Sequence, residues 1–172
     1  VLNALSVIAL RSGTLLATAG STVEVPNFQH LLKCSESLSN VQLFPIHFLT
    51  PTTFKQDKRY VIFPQESLIL QSLISRWNVS FPEAAMDDED AFQALLRGIH
   101  IVDYNLHTTR YPMKQVRLPA FQGRISIETR LPAPMMALWT TLYSFAPYAG
   151  IGVKTTLGMG GVSMMKASNL PV

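Results

Sequence analysis

The chain is poor in the residues that announce a redox, metal or membrane chemistry. Cys34 is its single cysteine, so no disulfide can close within it and no thiolate cluster can hold zinc. A reducing compartment is expected. His30, His47, His100 and His107 stand at none of the spacings that place two imidazoles on one metal, and the carboxylates crowd into one run, so no metal or other cofactor is expected. Charge is sparse: 15% of the 172 residues are charged against 48% hydrophobic, which excludes general disorder and describes a globular protein. A clean membrane span is also lacking. Leu131 to Val153 carries no charge and is long enough to cross a bilayer, but Pro132, Pro134, Pro147, Gly150 and Gly152 interrupt it, and Thr140, Thr141, Tyr143 and Ser144 add polar groups. One buried amphipathic helix is the better reading. The first residues resemble no signal peptide, because Arg11 and Gly13 break the apolar stretch and no basic region precedes it. A soluble cytoplasmic protein without membrane contact is the expectation.

What is present is uneven. Glu83, Asp87, Asp88, Glu89 and Asp90 place five of the eleven acids within eight residues, leaving fourteen bases against six acids elsewhere. Between Tyr104 and Arg130, the bases Arg110, Lys114, Arg117, Arg124 and Arg130 face only Glu128, a clustering that gives one surface a positive field and makes nucleic acid the expected partner. A solvated basic face without a partner is the alternative. Five of the nine glycines fall in Gly150-Ile-Gly-Val-Lys-Thr-Thr-Leu-Gly-Met-Gly-Gly161. Glycine adopts positive φ freely, so such a loop is expected to turn its amides toward one concave face suited to phosphate oxygens, with Lys154 adding charge and Thr155 and Thr156 adding hydroxyls. A purely structural glycine turn fits the same pattern. A P-loop does not, since Lys154 precedes Gly158 and the loop precedes a strand.

The order of elements points to an α+β fold. Val41 to Thr50 reads as a strand, with Pro45 marking an edge or bulge. Pro64 opens a helix that buries Leu70, Leu73, Ile74 and Trp77 and closes near Asn78. The acidic run sits at the positive N-terminal end of a second helix ending at Gly98, so it has a structural explanation. Ile99 to Thr109, Met113 to Leu118 and Phe121 to Thr129 read as strands separated by turns at Tyr111-Pro112 and Pro119. A helix opened by Pro134 and a strand from Leu157 to Lys166 complete β-α-β-β-α-β, the ferredoxin-like, RRM-like arrangement. Residues 1–40 fit less well. Val1 to Leu10 reads as helix or strand, Thr14 to Ala17 and Thr22 to Val25 as strands, and Ser35 to Asn40 as a linker. The expectation is a division into the tail of a preceding lobe, residues 1–40, and a complete lobe, residues 41–172.

Three segments resemble a known family. Phe48-Leu-Thr-Pro-Thr-Thr-Phe54-Lys is similar to its strand-end motif, Phe63-Pro through Arg76-Trp-Asn78 to its following helix, and Phe121-Gln-Gly-Arg124 through Tyr148-Ala-Gly-Ile-Gly-Val-Lys-Thr-Thr-Leu-Gly-Met-Gly160 to its glycine-rich signature. The family is that of the repeat-processing endoribonucleases of CRISPR systems, within the RAMP superfamily, often called Cas-six enzymes. The resemblance implies two tandem ferredoxin-like lobes and a prokaryotic protein that binds the repeat of a CRISPR precursor transcript and cuts it to release guide RNAs. Other subunits of an effector complex are further implied partners. The implied chemistry is metal-free: the 2′-hydroxyl beside the scissile bond attacks the phosphate, giving a 2′,3′-cyclic phosphate and a 5′-hydroxyl. The alternative is a RAMP-type subunit that holds guide RNA without cutting.

Such a reaction needs a base, an acid and a cation, roles suited to His, Tyr and Lys. No histidine of this chain falls on a matched catalytic position, and no catalytic residue is assigned. Binding positions carry over better: Gly150, Gly152, Lys154, Thr155, Thr156, Gly158 and Gly160 match the loop that approaches the RNA backbone. Arg124, Lys114 and Arg117 extend that track, and Lys55 lies after the first matched strand. Arg76 matches the helix motif and is open to an internal ion pair with Glu66 or Asp103.

Overall fold

The computed structural model describes residues 6–10, 13–17, 27–113 and 116–164. Thr22 to Val25, Lys114 and the end of the last expected strand at Lys166 lie outside them. Two short strands, β1 (Ser6–Leu10) and β2 (Gly13–Ala17), pair as an antiparallel hairpin. Helix α1 (Phe28–Glu36) follows, capped by the Asn27 side chain, which accepts from the His30 amide at 2.9 Å. Part of the stretch expected as a linker is therefore helical. Asn27 supplies a cap where a linker would have none, and Leu31 supplies an anchor, being 1% exposed inside the main core.

The main sheet has the order β6-β7-β3-β8 and is antiparallel throughout. Its strands are β3 (Leu43–Thr52), β6 (Ile99–Met113), β7 (Val116–Thr129) and β8 (Val162–Met164). Helix α2 (Glu66–Ser80) lies between β3 and β6 in the chain, and α4 (Ala133–Ala149) between β7 and β8, which is the split βαβ, ferredoxin-like topology. A small hairpin, β4 (Phe54–Gln56) and β5 (Arg59–Val61), turns through Asp57 and Lys58, both at positive φ. Helix α3 (Glu89–Gly98) is inserted after α2. Its N-cap is Asp88, whose carboxylate accepts from the amides of Asp90 and Ala91 at 2.9 and 3.2 Å.

One face of the sheet carries Phe44, Ile46, Phe48, Ile125 and Ile127 against Leu70, Leu73 and Trp77 of α2 and Trp139 and Leu142 of α4, all nearly or fully inaccessible. Phe44 meets Trp139 and Tyr143 edge-on at 5.7 and 4.9 Å. The Tyr143 hydroxyl donates to the Pro45 carbonyl at 2.7 Å, and burial pushes the phenol's pKa well above its ordinary value.

Several expected breaks are not breaks. Pro112 and Pro119 lie inside β6 and β7, which form two strands in place of the three expected. The β3–β7 ladder stops at Thr52↔Phe121, so beyond it β6 and β7 form a two-stranded arm whose outer edges need no donor, and proline is tolerated there. Pro147 lies in the last turn of α4, where its missing N–H forfeits a single ladder bond. The strand expected from Leu157 begins only at Val162, because the residues before it form the loop described next.

Candidate nucleic-acid interface

The glycine loop leaves α4 at Gly150 and is bonded along most of its length to the protein itself. Gly150 N–H donates to Ala146 O at 2.8 Å and Ile151 N–H to Gly160 O at 2.8 Å. Gly152 N–H donates to Ser72 Oγ at 2.8 Å, while its carbonyl accepts from the Arg76 guanidinium, so one helical turn of α2 grips both sides of this residue. Val153 N–H reaches Thr53 O at 2.9 Å, Gly160 N–H reaches Pro51 O at 3.1 Å, and Gly161 N–H reaches Thr50 Oγ1 at 2.7 Å. The bulged end of β3 and the loop therefore act as partners.

This changes what the glycines do. A Cβ on Gly160 would stand 2.1 Å from Ile151 O, and one on Gly152 would stand 2.6 Å from Thr53 O, both at positive φ. Close backbone approach, not presentation of amides to a ligand, is what requires glycine at these two positions. The expectation that Gly150, Gly152 and Gly160 turn their amides toward a phosphate is corrected, since those amides already have intramolecular acceptors.

The part of the loop that faces outward is Lys154 to Gly158. Lys154 adopts the left-handed conformation, φ 60° and ψ 33°, and Thr155 to Leu157 form a 3-10 turn. A left-handed residue followed by a right-handed turn aims successive amides into one concavity. The amides of Lys154, Thr155 and Thr156 make no hydrogen bond among the described residues, while those of Leu157 and Gly158 bond back to Lys154 O and Thr155 O. Thr156 and Gly158 are exposed, and Lys154 and Thr155 half-buried.

Lys154 borders an open cleft of about 560 Å³ between α2, β4 and the loop. Lys55 and Arg76 line the same cleft, so residues far apart in the chain bring three cations together, with Ser72 and Ser75 beside them and no carboxylate in the wall among the described residues. Arg76 is half-buried. Burial lowers its pKa, and its Nε has no hydrogen-bond partner among the described residues. The ion pair open to it in the sequence does not form: Glu66 Oε1 accepts the Ile101 amide at 2.8 Å, and Asp103 stands exposed opposite Ser126 on the sheet face away from the helices.

The other expected contacts lie elsewhere. Arg124 sits on that same outer sheet face, in register with His47 on β3 and Asn105 on β6, and His100 and His107 share the face through their pairing with Glu128 and Gln122. Arg117 is exposed on the two-stranded arm opposite Pro112. Glu128, the lone acid of the basic segment, pairs with Arg130 at 3.1 Å. The arm returns to the loop: Leu118 and Ala120 bury Met159, and the Tyr111 hydroxyl donates to Leu157 O. Tyr111 and the loop-gripping role of Arg76 were not legible from motif or spacing, because both act on backbone atoms distant in sequence.

Residues 46–162, from β3 to β8, match the family model of the CRISPR-associated endoribonuclease Cas6. A Cas6 endoribonuclease of Streptococcus thermophilus is 35% identical over 134 residues, 78% of this chain and 55% of that protein. One from Mycobacterium tuberculosis is 27% identical over 69% of this chain and 38% of its own length. The chain thus spans about half or less of the curated relatives it matches. Among solved structures, Thermus thermophilus Cas6 superposes with a TM-score of 0.71 at 23% identity, over 90% of this chain and 66% of that one. A Cas6 substrate mimic complex gives 0.63 at 24%, over 81% and 58%. With the family model matching well over half of its length, the chain belongs to the CRISPR-associated endoribonuclease Cas6 family.

Proposed function

We propose that this chain binds CRISPR repeat RNA and is the RNA-gripping lobe of an endoribonuclease that matures guide RNAs in the prokaryotic cytoplasm. The observation that carries this is the Lys154–Gly158 turn. A glycine scaffold holds it, its three leading amides have no acceptor among the described residues, and it stands beside Lys55 and Arg76 within the matched segment. Amides and cations of this kind suit the phosphate backbone and carry no base code, so register on the repeat comes from RNA shape and from groups outside this cleft. Lys154, Thr155, Thr156 and Gly158 are the contacts we assign to the loop, with Lys55, Arg124, Arg117 and Lys114 extending the track. Gly150, Gly152 and Gly160 serve it as scaffold.

The chemistry proposed is attack of the 2′-hydroxyl on the adjacent phosphorus, with the 5′-oxygen leaving, so the new bond replaces the one broken and no water enters. This chain contributes electrostatic stabilisation of the phosphate, and the base and acid belong to a preceding lobe. The full protein incubated with its repeat RNA in EDTA is expected to cut it once and to leave a 2′-deoxy substrate bound and intact. Tight binding with neither substrate cut would instead make the protein a guide-RNA holder.

A further inference from the structure

We propose that the cleft between α2, β4 and the glycine loop is a phosphate-binding site centred on the Arg76 guanidinium. A half-buried guanidinium carries a desolvation cost that proteins ordinarily offset with a carboxylate. Among the described residues none lines the cleft, and the two candidates nearest in the sequence pattern, Glu66 and Asp103, are respectively bonded to Ile101 N–H and placed on the opposite sheet face. One terminal nitrogen of Arg76 is committed to Gly152 O, and its buried Nε has no acceptor among the described residues. Lys55 reaches the same cleft from an exposed position on β4, and Lys154 borders it from the loop.

Three cations and serine hydroxyls at Ser72 and Ser75, with no counter-charge in the wall among the described residues, describe a place for a compact oxyanion whose oxygens accept from several donors at once. A phosphate group has that chemistry. The phosphate comes either from the RNA chain or from a separate phosphate ion, and the inference rests on the RNA-binding reading only for the first source.

The test follows amide shifts of Gly152, Val153 and Lys154 while inorganic phosphate is added at constant ionic strength, and measures repeat-RNA affinity in parallel. Wild type, Arg76→Gln and Lys55→Ala are compared. Arg76→Gln removes a loop contact as well as a charge, so Lys55→Ala, on an exposed hairpin, is the variant that separates binding from folding. Saturable shifts in wild type, weakened in both variants, are expected. RNA affinity is expected to fall about tenfold in each, with a salt slope shallower by about 0.7 per phosphate lost. Competition between phosphate and RNA would identify the RNA chain as the source, and shifts without competition would identify a separate phosphate. Absence of shifts, with RNA bound equally by all three proteins, would overturn the site and leave the RNA reading standing. Shifts in a protein that binds no RNA would do the reverse.

Discussion

Gly158 and Gly160 both have positive φ, yet the structure asks different things of them. Around Gly158 a Cβ meets nothing within 4 Å, so alanine there would bear only the cost of a left-handed L-residue, about 1–2 kcal/mol. At Gly160 the same Cβ would fall 2.1 Å from Ile151 O, beside the bond from Ile151 N–H to Gly160 O that closes the loop, and no rotamer can relieve a backbone clash. Gly160→Ala is therefore expected to destabilise by about 3 kcal/mol or more, and Gly158→Ala by less than half as much, measured by denaturant unfolding of both variants. Equal costs would mean that the loop is not built on close approach. The sequence showed the glycines and their lysine but not this division of labour. A glycine needed for a ligand and one needed for a neighbouring carbonyl are the same letter, and the difference lies in partners such as Thr53 O and Ser72 Oγ, which are distant in sequence.

Elements were easier to read than residues where one period dominates, and harder where two strands support each other. The spacing of Leu70, Leu73 and Trp77 sets α2, and the acidic run, with its Asp88 cap and Glu89 and Asp90 in the first turn, sets α3. The β6–β7 arm is not legible in the sequence because Pro112 and Pro119 signal turns in isolation, and nothing local tells that the β3 ladder has already ended beside them. That arm has a structural consequence for the loop. Met159, 1% exposed, is the loop's apolar anchor under Leu118 and Ala120, and Tyr111 ties Leu157 from above. Truncating it with Met159→Ala leaves a cavity between arm and loop and is expected to cost about 2–3 kcal/mol in unfolding free energy. Because the main core of α2, α4 and the sheet is separate from this small cluster, the loss should appear first as faster hydrogen exchange at Leu157 and Gly158, whose amides close the 3-10 turn. Uniform acceleration across α2 and α4 as well would show that arm, loop and core unfold as one unit.

At the scale of the molecule, charge is arranged by face. The net charge of +3 conceals an acidic cleft between α2 and α3, bordered by Asp87, Asp88 and Glu89, and a basic cleft on the loop side of the same helix. Gln71 and Ser75 line both, so the exposed strip of α2 divides the two fields. The basic residues are themselves split: Lys55, Arg76 and Lys154 border the cleft, Arg117 lies on the arm, and Arg124 lies on the sheet face away from the helices. An RNA confined to the cleft places about one phosphate among the three cations there, whereas one that continues over the arm to the outer sheet face neutralises about three more, at the Lys114, Arg117 and Arg124 assigned to the track. With a single-strand slope of about −0.7 per phosphate, the logarithm of affinity should fall against the logarithm of salt with a slope of about −0.7 in the first case and about −3 in the second. The steeper value is expected, because the arm that packs on the loop carries Arg117, and its strand β7 leads to Arg124. Arg124→Ala decides between them: if the RNA rounds the arm, the slope becomes shallower by about 0.7, and if it stays in the cleft, the slope does not move.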